Sequence, residues 1–441
     1  MRILLAVHQF FPQFRAGTET LTRRTAEELQ RRGHRVWVLA AQPHDPGQPL
    51  LQRERWHQLD LIRFNPPPER HPLAGGMASS FRRSSLQRLQ EELLHELRPD
   101  LLHVFHLRRH TLSLVEAARA TGVPLVASLT DYWLACPTGQ LQFPEQLPCA
   151  GPHADGANCL QHLSARVLQG QRGLPLPLAR LLMGAARRWP LLGTLRALRQ
   201  RPAAMGAALA DCQAVLVPSA LMLNTFAQLG LATPRFEVCP YGLDLQGLQG
   251  LPLRQSWPGP QVRPLRVGFI GSFNRAKGAH VLLEALARLG SGFAAEVRLY
   301  GNPEDHPAYA ASLRRQALDL PQVQWCGVFG AEQVFAVLAE LDLLVVPSLW
   351  RENAPLILLQ ALAAGLPLLL SDVEGMADQV EAGRQALLFP PGDSAALAAL
   401  LQGLQGQPEQ LARLVNQGGE PRSIAHYGDQ LERIYARLQR E

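Results

Sequence analysis

The sequence predicts an α/β protein built from two Rossmann-like, doubly wound domains that face one another across a cleft. The chain has 441 residues, which is too long for one ordinary domain core. Short Val, Leu and Ile runs alternate with longer amphipathic segments, the pattern of strands and helices in a parallel sheet. A stretch rich in Pro, Gly and Gln at 246–264 separates two such series, so it predicts a linker.

Apolar runs and amphipathic segments place the elements of both series. In the first series, strands are expected at 2–7, 35–40, 60–64, 101–105, 124–129, 214–217 and 236–239, with helices at 18–31, 80–97 and 111–121. In the second, strands are expected at 265–271, 296–300, 323–326, 342–346 and 366–370, with helices at 278–289, 307–318, 331–340, 353–364 and 394–404. The predicted domains are therefore 1–245 and 262–418.

Composition excludes a disordered chain, because 47% of residues are hydrophobic and only 18% are charged. The apolar run that follows Met1 is too short for a signal peptide, and no run approaches the ~20 residues that cross a bilayer. The sequence thus predicts a cytoplasmic protein, with peripheral contact to the inner face of a membrane left open.

An insert at 136–205 interrupts the alternation of strands and helices. Residues 163–210 contain no Asp or Glu, and they carry Arg166, Arg172, Arg180, Arg187, Arg188, Arg196, Arg199 and Arg201 with Trp189 among them. Two interpretations stay open. The insert is either a helical subdomain with a solvated basic face, or a surface for anionic lipid or a lipid-diphosphate acceptor.

The insert begins with a cluster of potential metal ligands. Cys136, Cys149, Cys159 and His162 together offer three thiols and an imidazole, and the Cys-x-x-His end has ligand-like spacing. The sequence allows a structural zinc site here or, alternatively, reduced loop cysteines, since a cytosolic protein rarely holds disulfides.

Charge is distributed unevenly among the two basic residue types. The formal net charge is +6, nearly all basic residues are Arg, and Lys277 is the only lysine. An ammonium and a guanidinium are not interchangeable, so this single Lys either occurs by chance or has a specific function.

Lys277 lies in the stronger of two local motifs. The strand that begins at Leu265 runs into Gly271 and Ser272, then into Arg275 and Lys277 before a helix. A glycine turn, two cations and a helix N-terminus favour an anion, and a diphosphate suits this arrangement.

A second motif begins with the strand that ends at Val346. The following loop delivers Glu352, and a helix is expected to start near Asn353 and Ala354. Gln360, two turns along that helix, could reach a ribose. As the alternative, Glu352 merely caps the helix, because carboxylates favour helix N-termini.

These two motifs, in this order and about 75 residues apart, resemble the retaining family-4 glycosyltransferases of the GT-B fold. Further matching pieces are Phe11-Pro12, Ala16-Gly17-Thr18-Glu19, Arg32-Gly33-His34, Pro99-Asp100, Val217-Pro218-Ser219, Tyr241-Gly242 and Phe389-Pro390-Pro391-Gly392-Asp393. A similar cysteine-containing insert occurs in a subset of that family. The resemblance also implies that a final helix, within 419–441, crosses back to the first domain.

The resemblance implies roles for individual residues. It implies that Lys277 and Arg275 bind the donor diphosphate and that Glu352 lies near the transferred sugar. His106 is a separate candidate for contacting donor sugar or acceptor, because it falls at the carboxyl end of the strand 101–105; alternatively, it is structural. Donor-binding positions implied by the resemblance are Gly17, Gly271, Ser272, Gly327, Val328, Asn353, Ala354, Pro355, Leu356 and Gln360. Asp131, after the next strand, is the other candidate on the acceptor side, together with His103 and His110.

The sequence departs from the family pattern at four positions. Ser272 stands where a basic residue is usual, Gln360 replaces the second glutamate, Ala16 replaces a glycine, and Thr130 replaces a histidine. None of these changes removes the diphosphate site.

The expected activity is transfer of a hexose-type sugar from a nucleotide-diphosphate sugar to a glycan or lipid-linked acceptor, as in polysaccharide biosynthesis. No metal cofactor is expected for catalysis, and nucleic acid is not an expected partner. Two competitors stay open: a nucleotide-sugar epimerase of the same fold, and a non-catalytic nucleotide-sugar-binding subunit.

Overall fold

The computed structural model of the protein describes residues 1–68, 75–143, 148–167, 173–186, 193–251, 254–418 and 420–440. The chain divides into two compact units. The first comprises Met1–Pro240 with Ala425–Glu441, and the second comprises Tyr241–Ile424. Each unit has one largely parallel sheet with helices between its strands, which confirms the predicted α/β class.

The first sheet has eight strands in the order β3-β4-β2-β1-β5-β6-β7-β8. They are β1 (Arg2–Val7), β2 (Arg35–Ala41), β3 (Leu51–Trp56), β4 (Leu59–Phe64), β5 (Leu101–Val104), β6 (Leu125–Ser128), β7 (Ala214–Val217) and β8 (Phe236–Val238). β3 pairs antiparallel with β4, and the other pairings are parallel. Apolar runs predicted every strand except β3, because this edge strand is half polar and largely exposed.

Eight helices of the first unit accompany these strands. They are α1 (Gly17–Arg31), α2 (Gly75–Phe81), α3 (Ser84–Leu97), α4 (Ser113–Thr121), α5 (Ala157–Val167), α6 (Leu176–Ala185), α7 (Gly193–Asp211) and α8 (Ala220–Gln228). The predicted insert thus contains α5, α6 and most of α7. Ala16 precedes α1 with φ −75° and ψ −175°, an extended conformation that alanine adopts without strain.

The second sheet has six parallel strands in the order β11-β10-β9-β12-β13-β14. They are β9 (Leu265–Ile270), β10 (Ala295–Tyr300), β11 (Val323–Gly327), β12 (Leu343–Val346), β13 (Leu368–Ser371) and β14 (Ala386–Phe389). Its helices are α9 (Ala279–Leu289), α10 (Pro307–Gln316), α11 (Val334–Ala339), α12 (Leu356–Ala363), α13 (Ser394–Gly406) and α14 (Pro408–Leu414). The strands β12 and β13 are buried along their whole length, as continuous apolar strands inside a parallel sheet require.

Strand order reverses once in each sheet. In the first sheet the chain moves outward from β1 to β2 and later returns to the other side of β1 with β5. In the second sheet the same reversal occurs between β9 and β12. Ligands of α/β sheets bind outside the carboxyl ends of the strands at such a switch point, so the loops after these four strands are the places to examine.

A last helix, α15 (Ile424–Leu438), packs on the first unit although it follows the whole second unit in the chain. Arg32 donates to Asp429 at 2.7 Å and to Glu432 at 2.6 Å. The Tyr435 hydroxyl lies 2.5 Å from Nδ1 of His103, at the centre of the first sheet. Within the described ranges, no helix is long and apolar enough to cross a membrane.

Candidate functional site

The loop after β9 is held in a shape that presents its cations. The Asn274 side chain accepts a hydrogen bond from the backbone N–H of Lys277 at 3.1 Å, which caps the short 3-10 turn Arg275–Lys277. Gly278 then has φ 73°, and a Cβ atom at this position would lie 1.8 Å from the Pro347 carbonyl oxygen. Only glycine fits, so the sequence brings this loop directly against the loop after β12.

Lys277 meets Glu352 where these two loops touch. The Lys277 ammonium donates to Oε1 of Glu352 at 2.6 Å, and its Nζ lies 5.3 Å from the centre of the Trp350 ring. The same carboxylate oxygen accepts from the Ser348 hydroxyl and from the Trp350 indole N–H, each at 2.8 Å. Glu352 is 4% exposed, so a buried charge is compensated by three donors.

The interpretation of Glu352 as a simple helix cap disagrees with this geometry. Helix α12 begins at Leu356, later than the predicted start near Asn353 and Ala354, and its N-cap residue Pro355 makes no side-chain cap. The carboxylate of Glu352 is instead engaged by side chains. The prediction of the helix start was wrong because the residue before a proline, here Ala354, is disfavoured from the helical conformation, and Pro355 itself has an extended ψ of 118°.

Sequence reasoning did not find Ser348 and Trp350. Both lie in the apolar stretch between β12 and Glu352, where nothing in the composition marks a polar role. The hydrogen bonds from the Ser348 hydroxyl and the Trp350 indole to Glu352 can be recognised only when the conformation of the loop is known.

The other donor-site residues predicted from sequence occupy the same end of the second sheet. Ser272 accepts from the Asn274 side chain at 2.7 Å, and the Gly271 N–H donates to the Tyr300 carbonyl at 3.0 Å. Gly327 has φ 68° and accepts from the Gly301 N–H at 2.8 Å. By exposure, Arg275 and Val328 are open to solvent, Pro355, Leu356 and Gln360 are half-buried, and Asn353 and Ala354 are buried.

This geometry suits a bound anion. Lys277 retains 27% of its side-chain exposure, while Glu352 keeps two other donors if the lysine turns away. An exposed Arg275 stands beside it, and the N-terminus of α9 follows immediately. The loop therefore offers one cation that can exchange partners and a second cation with no competing carboxylate within hydrogen-bonding distance among the described contacts.

At the first sheet, His106 follows β5 and is 8% exposed. Its Nε2 lies 3.0 Å from Oδ2 of Asp131, and its Nδ1 accepts from the backbone N–H of Arg108 at 3.0 Å. Gly17 lies exposed at the first position of α1. The structure thus brings His106 and Asp131 together, while Gly17 begins helix α1.

The two remaining histidine candidates of this edge have structural environments. His103 is fully buried between Tyr435 and Ser128, and burial lowers its pKa to about 3. Nε2 of His110 lies 2.8 Å from the Val7 carbonyl, and burial lowers its pKa to about 4. Both rings therefore stay neutral and inside the core.

His8 and Glu19 also lie at this edge, and sequence reasoning gave neither a role. His8 directly follows β1 and Glu19 lies in the first turn of α1. His8 Nε2 lies 3.5 Å from Glu19 Oε1, and the His8 ring centre is 4.2 Å from that of His106. A histidine placed directly after the first strand was the available signal.

The cysteine cluster does not have metal-ligand geometry. Burial raises the pKa of Cys149 and raises that of Cys159 to about 12, and the neighbouring thiols add to both shifts. The His162 ring contacts Phe143, with centres 5.4 Å apart. Across the described residues, no group of three or more His, Cys, Asp or Glu side chains could hold a metal ion. A structural zinc stays a prediction, which elemental analysis of the purified protein tests.

The basic stretch of the insert is divided between core and surface. Arg201 is 2% exposed, donates to the Trp133 carbonyl, and has its guanidinium carbon 5.1 Å from the Trp133 ring centre, so for this residue the solvated basic face was wrong. Arg180, Arg196 and Arg199 are exposed. The predicted Arg172, Arg187, Arg188 and Trp189, and the side chain of Arg166, lie outside the described residues.

Solved structures define the class of fold. The chain is similar to sucrose-phosphate synthase from Thermosynechococcus elongatus, with a TM-score of 0.65 and 18% identity over 99% of each chain. It is also similar to Anabaena HepE in complex with UDP-glucose, with a TM-score of 0.63 and 17% identity over all of each chain. The protein therefore has the GT-B fold.

Sequence comparison adds the family context. Residues 15–148 match the family "Glycosyltransferase Family 4", and residues 264–406 match "Glycosyl transferases group 1". The amylovoran biosynthesis glycosyltransferase AmsK of Erwinia amylovora is 31% identical over 159 residues, covering 33% of this chain and 38% of that protein. The chain spans about a third to a half of the length of the curated relatives it matches. Both family models and these relatives are glycosyltransferases, so the sequence similarity agrees with the GT-B fold.

Proposed function

We propose that the protein is a retaining, metal-independent glycosyltransferase that transfers a hexose-type sugar from a nucleoside diphosphate sugar to a glycan or lipid-linked acceptor. The observation that carries the proposal is the contact between Lys277 and Glu352 at the switch point of the second sheet. The sole lysine of the chain is held there, half-exposed, beside a buried carboxylate.

In the proposed mechanism the donor diphosphate replaces Glu352 as the partner of Lys277. Glu352 remains held by Ser348 and Trp350, so the exchange does not leave its charge without donors. Lys277, Arg275 and the N-terminus of α9 then stabilise the negative charge that grows on the leaving diphosphate. Because these groups supply the positive charge, the proposed reaction needs no metal ion.

Retention follows if the acceptor attacks the face that the diphosphate leaves, with the departing phosphate taking the hydroxyl proton. With the donor bound, Oε1 of Glu352 still accepts hydrogen bonds from Ser348 and Trp350, which weakens it as a nucleophile and favours an electrostatic role beside the positively charged sugar. Proton NMR of the first-formed product checks the anomeric configuration. An inverted product would contradict this mechanism.

UDP-glucose is the first donor to test, because the similar HepE structure contains it. Reductive methylation with ¹³C-formaldehyde keeps the ammonium charge and labels one side chain, Lys277, besides the chain terminus. UDP should shift the Lys277 signal, whereas uridine, which lacks phosphates, should leave it in place. An unmoved signal with UDP, GDP, ADP and TDP would overturn the donor site.

The two competing functions give different products. Sugar turnover without any acceptor would favour the epimerase. A diphosphate-induced shift of Lys277 without transfer to a broad acceptor panel would favour a non-catalytic binding subunit.

We further propose that helix α6 contacts an anionic membrane surface. Leu178 is 41% exposed and Leu181 is 69% exposed, with the exposed Arg180 between them. The exposed Arg196 and Arg199 lie on α7, which packs against α6. Exposed leucines flanked by arginines suit the boundary between acyl chains and anionic headgroups.

Vesicle flotation tests this surface. The protein should float with vesicles containing phosphatidylglycerol and remain unbound with phosphatidylcholine alone. The double variant Leu178→Ser, Leu181→Ser should lose flotation, while Leu318→Ser, which changes a 79% exposed leucine of the second unit, should not. Equal flotation of both variants would contradict the proposal.

A further inference from the structure

A pair of buried polar groups flanks the switch point of the first sheet. His8 follows β1, and the end of the neighbouring β5 leads to His106. Glu19 is completely buried, and its carboxylate oxygens make no hydrogen bond of good geometry within the described part of the chain; Oε1 lies 3.5 Å from Nε2 of His8. Nδ1 of His8 also lacks a partner there. More than nine-tenths of buried polar groups in proteins are satisfied, so three open positions in one contact are unusual.

His106, the ring expected from sequence to touch a ligand, has no open position. Its Nδ1 accepts the Arg108 backbone N–H, which requires the ring proton to be on Nε2 in the neutral form. Nε2 then donates to Asp131. Both nitrogens are used inside the protein, and the ring can present only its face and edge. His8, which lies against it, has the lone pair that His106 lacks.

The surroundings keep His8 neutral. Burial lowers the pKa of His8 well below its usual value, and the neighbouring Arg109 and Arg108 cations lower it further. Burial raises the pKa of Glu19, against smaller opposing effects from the backbone amides of Glu19 and Ala16 and from the Gln9 side chain. Asp131 faces the same cluster from the loop after β6.

The chemistry of this pair selects the kind of ligand. If the His8 proton is on Nε2, facing Glu19, Nδ1 carries a lone pair. A lone pair accepts an O–H group, and it repels the oxygen atoms of a phosphate. A sugar hydroxyl therefore suits this position, whereas a phosphate group does not.

We propose that Nδ1 of His8 binds a hydroxyl group of the sugar acceptor and that Glu19 is a positioning residue that orients the His8 ring. The inference rests on the proposed glycosyltransferase function and adds an acceptor contact to it. Access requires a local movement, since Nδ1 and the carboxylate are covered in this structure.

Side-chain replacements at residue 8 test which nitrogen matters. In His8→Asn the amide oxygen lies near the former Nδ1 position, whereas His8→Phe removes both nitrogens and keeps a ring. With UDP-glucose and octyl glucosides or mannosides, His8→Phe should raise the acceptor KM about tenfold, the usual effect of losing one neutral hydrogen bond, and His8→Asn should restore most of it. The donor KM should not change in either variant.

Glu19→Gln should raise the acceptor KM with little effect on kcat, because the amide weakens the contact that orients His8. The matched control is His44→Asn, which changes an exposed histidine of the same unit. A donor KM that rises with the acceptor KM, or equal kinetics of His8→Phe and wild type, would overturn the proposal.

Imidazole NMR separates this inference from the proposed function. Titration with methyl glucosides and mannosides should shift the signals of His8, identified by their loss in His8→Asn, and UDP alone should not. No His8 response to any glycoside, or a response to inorganic phosphate, overturns the acceptor contact even if Lys277 binds UDP. A His8 response without any Lys277 response to nucleotides instead rejects the donor site and leaves the sugar contact standing.

Discussion

The carboxyl edges of the two sheets differ in how their polar groups are satisfied. At the second sheet, Glu352 and Lys277 form a compensated pair with two additional donors. At the first sheet, Glu19 and one nitrogen of His8 are buried without partners in the described structure. A charged ligand can bind at the second edge by replacing Glu352 as the partner of Lys277. Both side chains then have hydrogen-bond partners before and after the exchange. The first edge instead leaves hydrogen-bonding positions open, which suits an uncharged ligand that supplies O–H groups.

The largest expected effect concerns the compensated edge. Lys277→Ala should lower kcat/KM about 100- to 1000-fold, since it removes a cation directed at the leaving diphosphate. UDP calorimetry measures the donor affinity, since the variant lacks the lysine that carries the ¹³C label, and circular dichroism should report a kept fold. Lys277→Arg is the matched control, and it should recover part of the loss by keeping the charge. Wild-type turnover in Lys277→Ala would contradict the assignment.

A smaller effect is expected from the glycine that brings the two loops of this edge together. Gly278→Ala should destabilise the second unit by more than about 2 kcal/mol, because its Cβ would overlap the Pro347 carbonyl and its φ is positive. Gly122→Ala in the first unit is the control. Gly122 has nearly the same backbone angles, φ 70° and ψ 14°, but no atom within 4 Å of the added Cβ, so about 1–2 kcal/mol is expected. Urea unfolding measures both, and equal losses would show that the close approach of the loops costs nothing.

The smallest effect distinguishes the units by acid stability. The folded pKa of His103, about 3, lies below the unfolded value of 6.5, so its contribution is complete above pH 6.5 and falls as the pH decreases toward 3. Between pH 5.5 and 4.5 this histidine should cost about 1.4 kcal/mol. His103→Asn should remove that slope from the urea unfolding of the first unit. The exposed His44→Asn should leave it unchanged, and an unaltered slope in His103→Asn would contradict the burial argument.

The sequence predicted the parts of the molecule in which a residue type has a single common role, such as apolar residues in buried strands. Continuous apolar runs located twelve of the fourteen strands, and β3 and β14 were missed, the first because it is half polar and the second because its four residues directly precede a Pro-Pro-Gly turn. The loop of Gly271, Arg275 and Lys277 was recognisable because glycine and cations next to a helix start have few other uses.

What the sequence could not predict depends on distances across the fold. The three donors to Glu352 come from two loops separated by about 70 residues, and their convergence follows from Gly278 and from Gly375, whose Cβ would lie 1.7 Å from the Glu352 carbonyl. The sequence pointed to His106 as the ligand contact, whereas we assign this contact to His8. The reason is one backbone N–H, that of Arg108, which occupies Nδ1 of His106. No composition or spacing records where that N–H points.

The return of α15 to the first unit has a consequence for protein synthesis. Met1–Pro240 leaves the ribosome long before helix α15 is made. Asp429 and Glu432, which bind Arg32, and Tyr435, which binds His103, come after the entire second unit. During translation, the surface of the first unit that α15 covers stays exposed until the second unit has been synthesised. Completion of the first half is thereby tied to completion of the second, and a truncated product would carry an unfinished flank that chaperones and proteases can recognise.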